Sequence, residues 1–201
     1  MAAERDDLGD RLRVLPAEHQ DVRALTAAGW RVIARSWAAQ LDADRIDRAR
    51  LGAMVARVGP ALVVRELESG DLRAVLALDA ATVGDYPGSI ATRHSALTVD
   101  TASLHPGRRA FGAWTPDGTL IGMTFVDRSG DDVETDFTVV AAAWRGRGVG
   151  SAVKAASVLA LADEGARRFR TGGSSENAAS IGASAALGYE RDEEWVTLAR
   201  S

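Results

Sequence analysis

The sequence predicts an α/β (α+β) fold: a mixed, mostly antiparallel sheet flanked by helices, with a small helix-strand-helix extension before it. Three observations predict it. Three strand-like segments follow one another between positions 109 and 140 with only short, turn-rich links. A glycine-rich loop then leads from the last of them into a long helical stretch. Finally a strand, a helix and a strand close the chain. A meander feeding a helix and another strand argues for a mixed sheet rather than a doubly wound one.

The elements can be justified in order. Pro16 to Ala28 reads as a short helix closed by Gly29. Trp30 to Leu41 has the β-branched and aromatic content of a strand. Asp44 to Val58 reads as an amphipathic helix with Leu51, Met54, Val55 and Val58 on one face. Gly59-Pro60 ends that pattern, a strong punctuator, and divides an N-terminal extension (1–59) from the main domain (60–201). Ala61 to Glu66 is a strand candidate, and Asp71 opens a helix that turns Leu72, Val75 and Leu76 inward. A looser helical stretch covers Ser89 to Leu104, stopped by His105-Pro106-Gly107. Arg109 to Trp114, Leu120 to Val126 and Val133 to Val140 are the strands of the meander, linked by Pro116-Asp117-Gly118 and Ser129-Gly130-Asp131. The helix from Val149 to Glu164 places Val149, Val153, Ala156 and Ala160 on one face. A strand near Arg167 to Thr171, a helix from Asn177 to Leu187 and a strand from Asp192 to Leu198 complete the order.

Composition narrows the function. The chain has 201 residues, 46% of them hydrophobic, enough for one sizeable core. A formal charge of −4 gives a nucleic-acid partner no electrostatic support. No run approaches the roughly 18 apolar residues of a membrane span, and the charged start lacks the apolar core of a signal peptide; the expected location is cytoplasmic, away from membranes. There is no cysteine, which removes disulfides, thiolate metal sites and a cysteine acyl-enzyme. His19, His94 and His105 show no metal-ligand spacing, so no metal is expected. Lys154 is the only lysine, a bias read here as base composition, because arginine stands even where lysine would serve.

The loop Arg145-Gly146-Arg147-Gly148-Val149-Gly150 carries the chemistry. Helix starts leave N–H groups unpaired and bear partial positive charge; glycines let a phosphate reach that backbone, and arginines add charge-assisted hydrogen bonds. The loop is built for an anion, best a diphosphate. A nucleoside-triphosphate P-loop would need Gly-Lys-Ser/Thr, which is missing. A dinucleotide loop would need a βαβ unit and an acidic residue about twenty positions on, whereas this strand closes a meander.

Loop and element order together resemble the GNAT N-acetyltransferase superfamily. Its Arg/Gln-x-x-Gly-x-Gly/Ala signature is matched by Arg145, Gly148 and Gly150. Val140 and Trp144 fit the flanking pattern, and Glu176-Asn177-Ala178 with Leu187-Gly188-Tyr189 is similar to the family's closing helix. The resemblance covers about Ala61 to the C-terminus. It implies acetyl-CoA as co-substrate, with the pantetheine arm on the backbone of Thr138, Val139 and Val140. The pyrophosphate would lie on Arg145, Gly146, Arg147, Gly148, Val149, Gly150 and Ser151, and Asn177 would touch the coenzyme arm. It also implies direct attack by the amine of a small molecule or a peptide N-terminus.

Direct attack needs a base and a proton for the thiolate. Strict alternation puts Glu134, Asp136, Thr138 and Val140 on one face of their strand and Val133, Thr135, Phe137 and Val139 on the other. Glu134, eleven positions before Arg145, matches the spacing of the general-base glutamate in histone-type members, and burial beside Asp136 would raise one carboxylate's pKa. The other reading makes both a wet strand face. Many members carry an acidic tyrosine four residues before the closing-motif glycine; here that position is Ser184, a poor donor that can hydrogen-bond the sulfur or hold a water. Tyr86 is a candidate lining of the acceptor pocket, with loop packing as its other reading. The departure at Ser184 keeps open a silent acyl-CoA-binding module. Ala27-Ala28-Gly29-Trp30 is similar in layout to Ala186-Leu187-Gly188-Tyr189, so residues 16–41 resemble the tail of a second, truncated unit. Their strand can extend the main sheet or pair with another subunit in a homodimer.

Overall fold

The computed structural model describes residues 11–59, 61–85, 92 and 94–200. One eight-stranded sheet runs through them. In chain order the elements are β1 (Leu12–Pro16), α1 (Gln20–Ala27), β2 (Trp30–Asp42), α2 (Arg48–Val58), β3 (Val63–Glu66), α3 (Leu72–Thr82), β4 (Arg108–Trp114), β5 (Leu120–Ser129), β6 (Asp132–Val140), α4 (Val149–Asp163), β7 (Arg168–Ser174), α5 (Ala178–Leu187) and β8 (Glu190–Arg200). The strand order is β1-β8-β2-β7-β6-β5-β4-β3. Every neighbouring pair is antiparallel except β6 and β7.

The meander forms as the turn residues require. Gly118 and Gly130 take positive φ at its two turns, a region that glycine enters without a Cβ clash. Helices α2 and α4 pack together, and Leu51 joins Ala155, Val158 and Leu161 over Val126, Val133 and Phe169. Helix α3 gathers a different set: Val75 and Leu78 cluster with Met123, Phe125, Phe137 and Val139. Of the expected stripe on helix α4, Val149 and Val153 are buried and Ala156 and Ala160 only partly so. Ala152, Lys154, Ala155, Ser157, Val158 and Leu161 are buried as well, because the sheet, α2 and α5 all pack against it.

Three expectations change. The N-terminal part contributes an unforeseen strand, β1, and its predicted strand lies inside the sheet. β2 pairs with β7 on one side and β8 on the other, so the sheet crosses the division at position 59. Within the expected helix Ser89–Leu104, the stretch 94–104 is irregular apart from a turn at 99–102, braced by the Thr98 and Thr101 hydroxyls. It is tied to α3 by Asp79, which pairs with His94 Nε2 at 2.6 Å and accepts from Leu97 N–H at 2.7 Å. Residues 86–91 and 93, Tyr86 among them, lie outside the described residues.

Strand β6 does not alternate strictly. Phe125 faces Phe137 while Val126 faces Thr135, so Asp136 is an extra residue in a bulge. Val133 therefore packs in the α2–α4 cluster, but Phe137 and Val139 pack in the α3 cluster. Thr138 and Val140 approach Gly150 at the start of α4.

Candidate active site

The parallel pairing of β6 with β7 is short: Asp132 with Arg168, Val133 with Phe169 and Glu134 with Arg170. Beyond Glu134 and Arg170 the strands part. On one side, Gly172 draws β7 onto β2, where a Cβ would lie 2.7 Å from the Trp37 carbonyl oxygen. On the other, the bulge at Asp136 bends β6, as an extra residue in one strand does. The gap is a cleft of about 330 Å³, lined by Thr135 to Val140, Arg145, Gly150, Lys154, Thr171, Gly172 and Asn177, among others. Its walls are two strand edges no longer paired with each other. A ligand with amide groups along an extended arm can pair with such edges as an added strand would.

The predicted loop stands at the start of α4. Gly146 and Gly148 have φ of 72° and 83°, and Gly148 is the N-cap of α4. The helix start presents N–H groups to an anion. Arg145 is anchored: its Nε donates to the Val140 carbonyl at 2.9 Å and its Nη2 to Asp85 at 2.9 Å. Arg147 lies over the Trp144 ring. Thr138, Val139, Val140, Arg145, Gly150 and Asn177 line the cleft, whereas Gly146, Arg147, Gly148, Val149 and Ser151 build the loop and first turn behind it. Val149 is buried against Gly122, leaving its backbone as the part a ligand can use. Asn177 caps α5, its Oδ1 accepting from Ser180 N–H at 3.0 Å, so its amide nitrogen remains the donor available to a ligand.

The expected acid–base residues are placed differently from one another. Glu134 is exposed and lines a second cavity of about 460 Å³ with Arg170, Glu193 and Trp195, which shares Thr171 and Gly172 with the cleft. Asp136 lines the cleft itself and is ion-paired with Arg108 at 2.7 Å. Asp136 is the bulged residue, and both carboxylates are exposed rather than buried together as expected. Ser184 is buried and does not reach the cleft surface; its Oγ accepts a hydrogen bond from Lys154 Nζ at 3.2 Å.

Lys154, which sequence reasoning passed over, lines the cleft. Its side chain is held by the hydroxyls of Thr171 (3.0 Å) and Ser184 (3.2 Å) and lies 5.5 Å from the centre of the Tyr189 ring. Burial without a carboxylate partner lowers its pKa to about 8. Burial also raises that of the Tyr189 phenol. Among the described residues no group of three or more His, Asp or Glu is placed to hold a metal. No described helix is long and apolar enough to cross a membrane.

The sequence matches the acetyltransferase (GNAT) family over residues 77–189, and the chain belongs to that family. Among curated proteins none matches it in sequence. Solved structures share the fold. A GCN5-related N-acetyltransferase from Sphaerobacter thermophilus superposes with a TM-score of 0.68 at 15% identity, over 93% of this chain and 58% of that one. One from Kribbella flavida gives 0.67 at 16%, over 98% and 72%. A tandem GNAT protein from the clavulanic acid biosynthesis pathway gives 0.59 at 22%, over 91% and 59%. The chain thus spans less than two thirds of the length of the first and third of these proteins.

Proposed function

We propose that the protein transfers an acyl group, acetyl in the first instance, from acetyl-CoA to the primary amine of a small molecule or a peptide N-terminus. The observation that carries this reading is the parting of β6 and β7 beside the glycine-started helix α4. It offers one extended slot with an anion site at its mouth. In this reading the pantetheine arm pairs with the backbone of Thr138 to Val140, and the pyrophosphate rests on residues 145–151. The second cavity, lined by Glu134 and Glu193, receives the acceptor; its carboxylates suit a cationic amine. Glu134, exposed there, takes the amine's proton directly or through a water, and the free amine attacks the thioester carbonyl.

The test is thiol release from acetyl-CoA against a panel of amines and short peptides, with coenzyme binding measured in parallel by calorimetry. Turnover with at least one amine is expected. Binding without turnover for any acceptor would instead identify a silent coenzyme-binding module. Glu134→Gln is expected to lower kcat by about 100-fold, as loss of a general base does. Ser184→Ala, behind the cleft, should cost less than tenfold, and the reverse order would overturn the assignment of the base.

A further inference from the structure

The single lysine of the chain stands where the two strands part. Thr171 is the first residue of β7 beyond the last pair, Glu134 with Arg170, and its hydroxyl accepts from Lys154 Nζ at 3.0 Å. The cleft therefore has two defined ends: Arg145 and Gly150 at the mouth and Lys154 with Thr171 at the fork. An arm that starts from a diphosphate at the mouth and lies as a strand in the gap ends at the fork. In acyl-CoA that end is the thioester sulfur.

Resting on the functional reading above, we propose that Lys154 is the proton donor to the departing thiolate. The acceptor amine, freed of its proton, forms a bond to the acyl carbon. The carbon–sulfur bond then breaks and its electron pair goes to sulfur. The Lys154 ammonium gives one proton to that sulfur, leaving neutral amine and free CoA thiol. The attacking nitrogen loses its second proton, through water to solvent, as the adduct collapses to the amide, and Lys154 regains one from solvent; these two balance, and the proton first taken from the acceptor ammonium is the one released overall.

The surroundings fit this role. The groups packed around Nζ are neutral: the Thr171 hydroxyl from β7, the Ser184 hydroxyl from α5 and the Tyr189 ring leading into β8. Besides Lys154, the charged groups lining the cleft are Asp136, held by Arg108, and Asp85 and Arg145, paired with each other. Two neutral oxygens hold the ammonium in place without fixing its charge as a carboxylate would. A pKa of about 8 leaves it protonated at neutral pH and close to an ordinary thiol, so the transfer is nearly balanced. Ser184 is then a positioning residue: its Oγ holds the amine in place of a donor of its own.

Because the chain holds one lysine, [¹³C]lysine labelling gives a single side-chain signal set, which can be titrated in the whole protein with CoA and with desulfo-CoA. If Nζ faces the sulfur, CoA shifts the lysine resonance and its titration midpoint, and desulfo-CoA, which binds without the thiol, does not. Equal effects of the two ligands would overturn the proposal. Failure of both to bind would overturn the functional reading, and the proposal with it. In turnover, the wild-type rate is expected to fall above pH 8, and Lys154→Met to lower kcat about 100-fold and to abolish that fall. The CoA dissociation constant should stay within about threefold. A kcat within threefold of wild type, or a persisting alkaline limb, would sink the assignment. So would an acetyl group found on Lys154 by intact mass, which would make the amine an acceptor rather than an acid.

Discussion

At the residue scale, Lys154 has a cost that can be measured. Below about pH 8 it is protonated in both the folded and the unfolded chain, and the desolvation penalty is fully present. A fall from 10.5 to about 8 corresponds to a penalty on the order of 3 kcal/mol. Between about pH 8 and 10 the folded form has lost the proton while the unfolded chain keeps it, so stability rises with pH. Above pH 10 Tyr189 acts in the opposite direction, because its buried phenol stays neutral while the unfolded one ionises. Denaturant unfolding at pH 7 and pH 9 is expected to show the wild type gaining stability and Lys154→Met already more stable at pH 7, with no further gain from this site. A flat wild-type profile would contradict the burial. The sequence held the clue in a different form. In a chain that otherwise uses arginine, the one lysine is a side chain able to give up its proton, as arginine cannot, and the proposed role uses that property. Read as composition alone, it hid the residue.

At the element scale, the helix α4 start and the fork of β6 and β7 divide what was legible from what was not. The loop at Arg145 to Gly150 was legible because positive-φ glycines and a helix N-terminus are local properties of sequence. Arg145→Ala is expected to weaken CoA binding about 10- to 100-fold, the loss of one charge-assisted contact, and calorimetry would show it; unchanged affinity would remove Arg145 from the site. The bulge at Asp136 was not legible. Val133, Phe137 and Val139 keep an even spacing through it, and only the facing strand reveals that Thr135 and Phe137 flank an extra residue. Gly172 belongs to the same category, since its need to be glycine comes from Trp37 in a distant strand. Gly172→Ala is expected to cost about 1–3 kcal/mol by pushing β2 and β7 apart, read as a lower Tm; an unaltered Tm would mean that the strands can separate freely there.

At the scale of the whole molecule, the N-terminal elements complete the sheet. β2 separates β7 from β8, and its Trp37 is buried with Nε1 donating to the Ser174 carbonyl at 3.2 Å. Its β-branched and aromatic content predicts a strand but not its place, because composition carries no information about which edge a strand will find. Deleting residues 1–58 is expected to leave three strand edges unpaired, one on β7 and both on β8, and to drive the protein into aggregates, which soluble yield and gel filtration would report. A soluble monomer that binds CoA would show that β7 and β8 can close without β2.

The position of β2 also sets the order in which the chain can fold. Trp37 and Ser174 are 137 positions apart, and both partners of β2 come from the last part of the sequence. During synthesis an apolar strand must wait, unpaired on both edges, until β7 and β8 have left the ribosome. Contacts between such distant segments close slowly, because loop entropy is lost before they form. The same insertion that completes the sheet makes the newborn chain dependent on protection of that strand, and refolding from denaturant should be limited by its capture rather than by the meander.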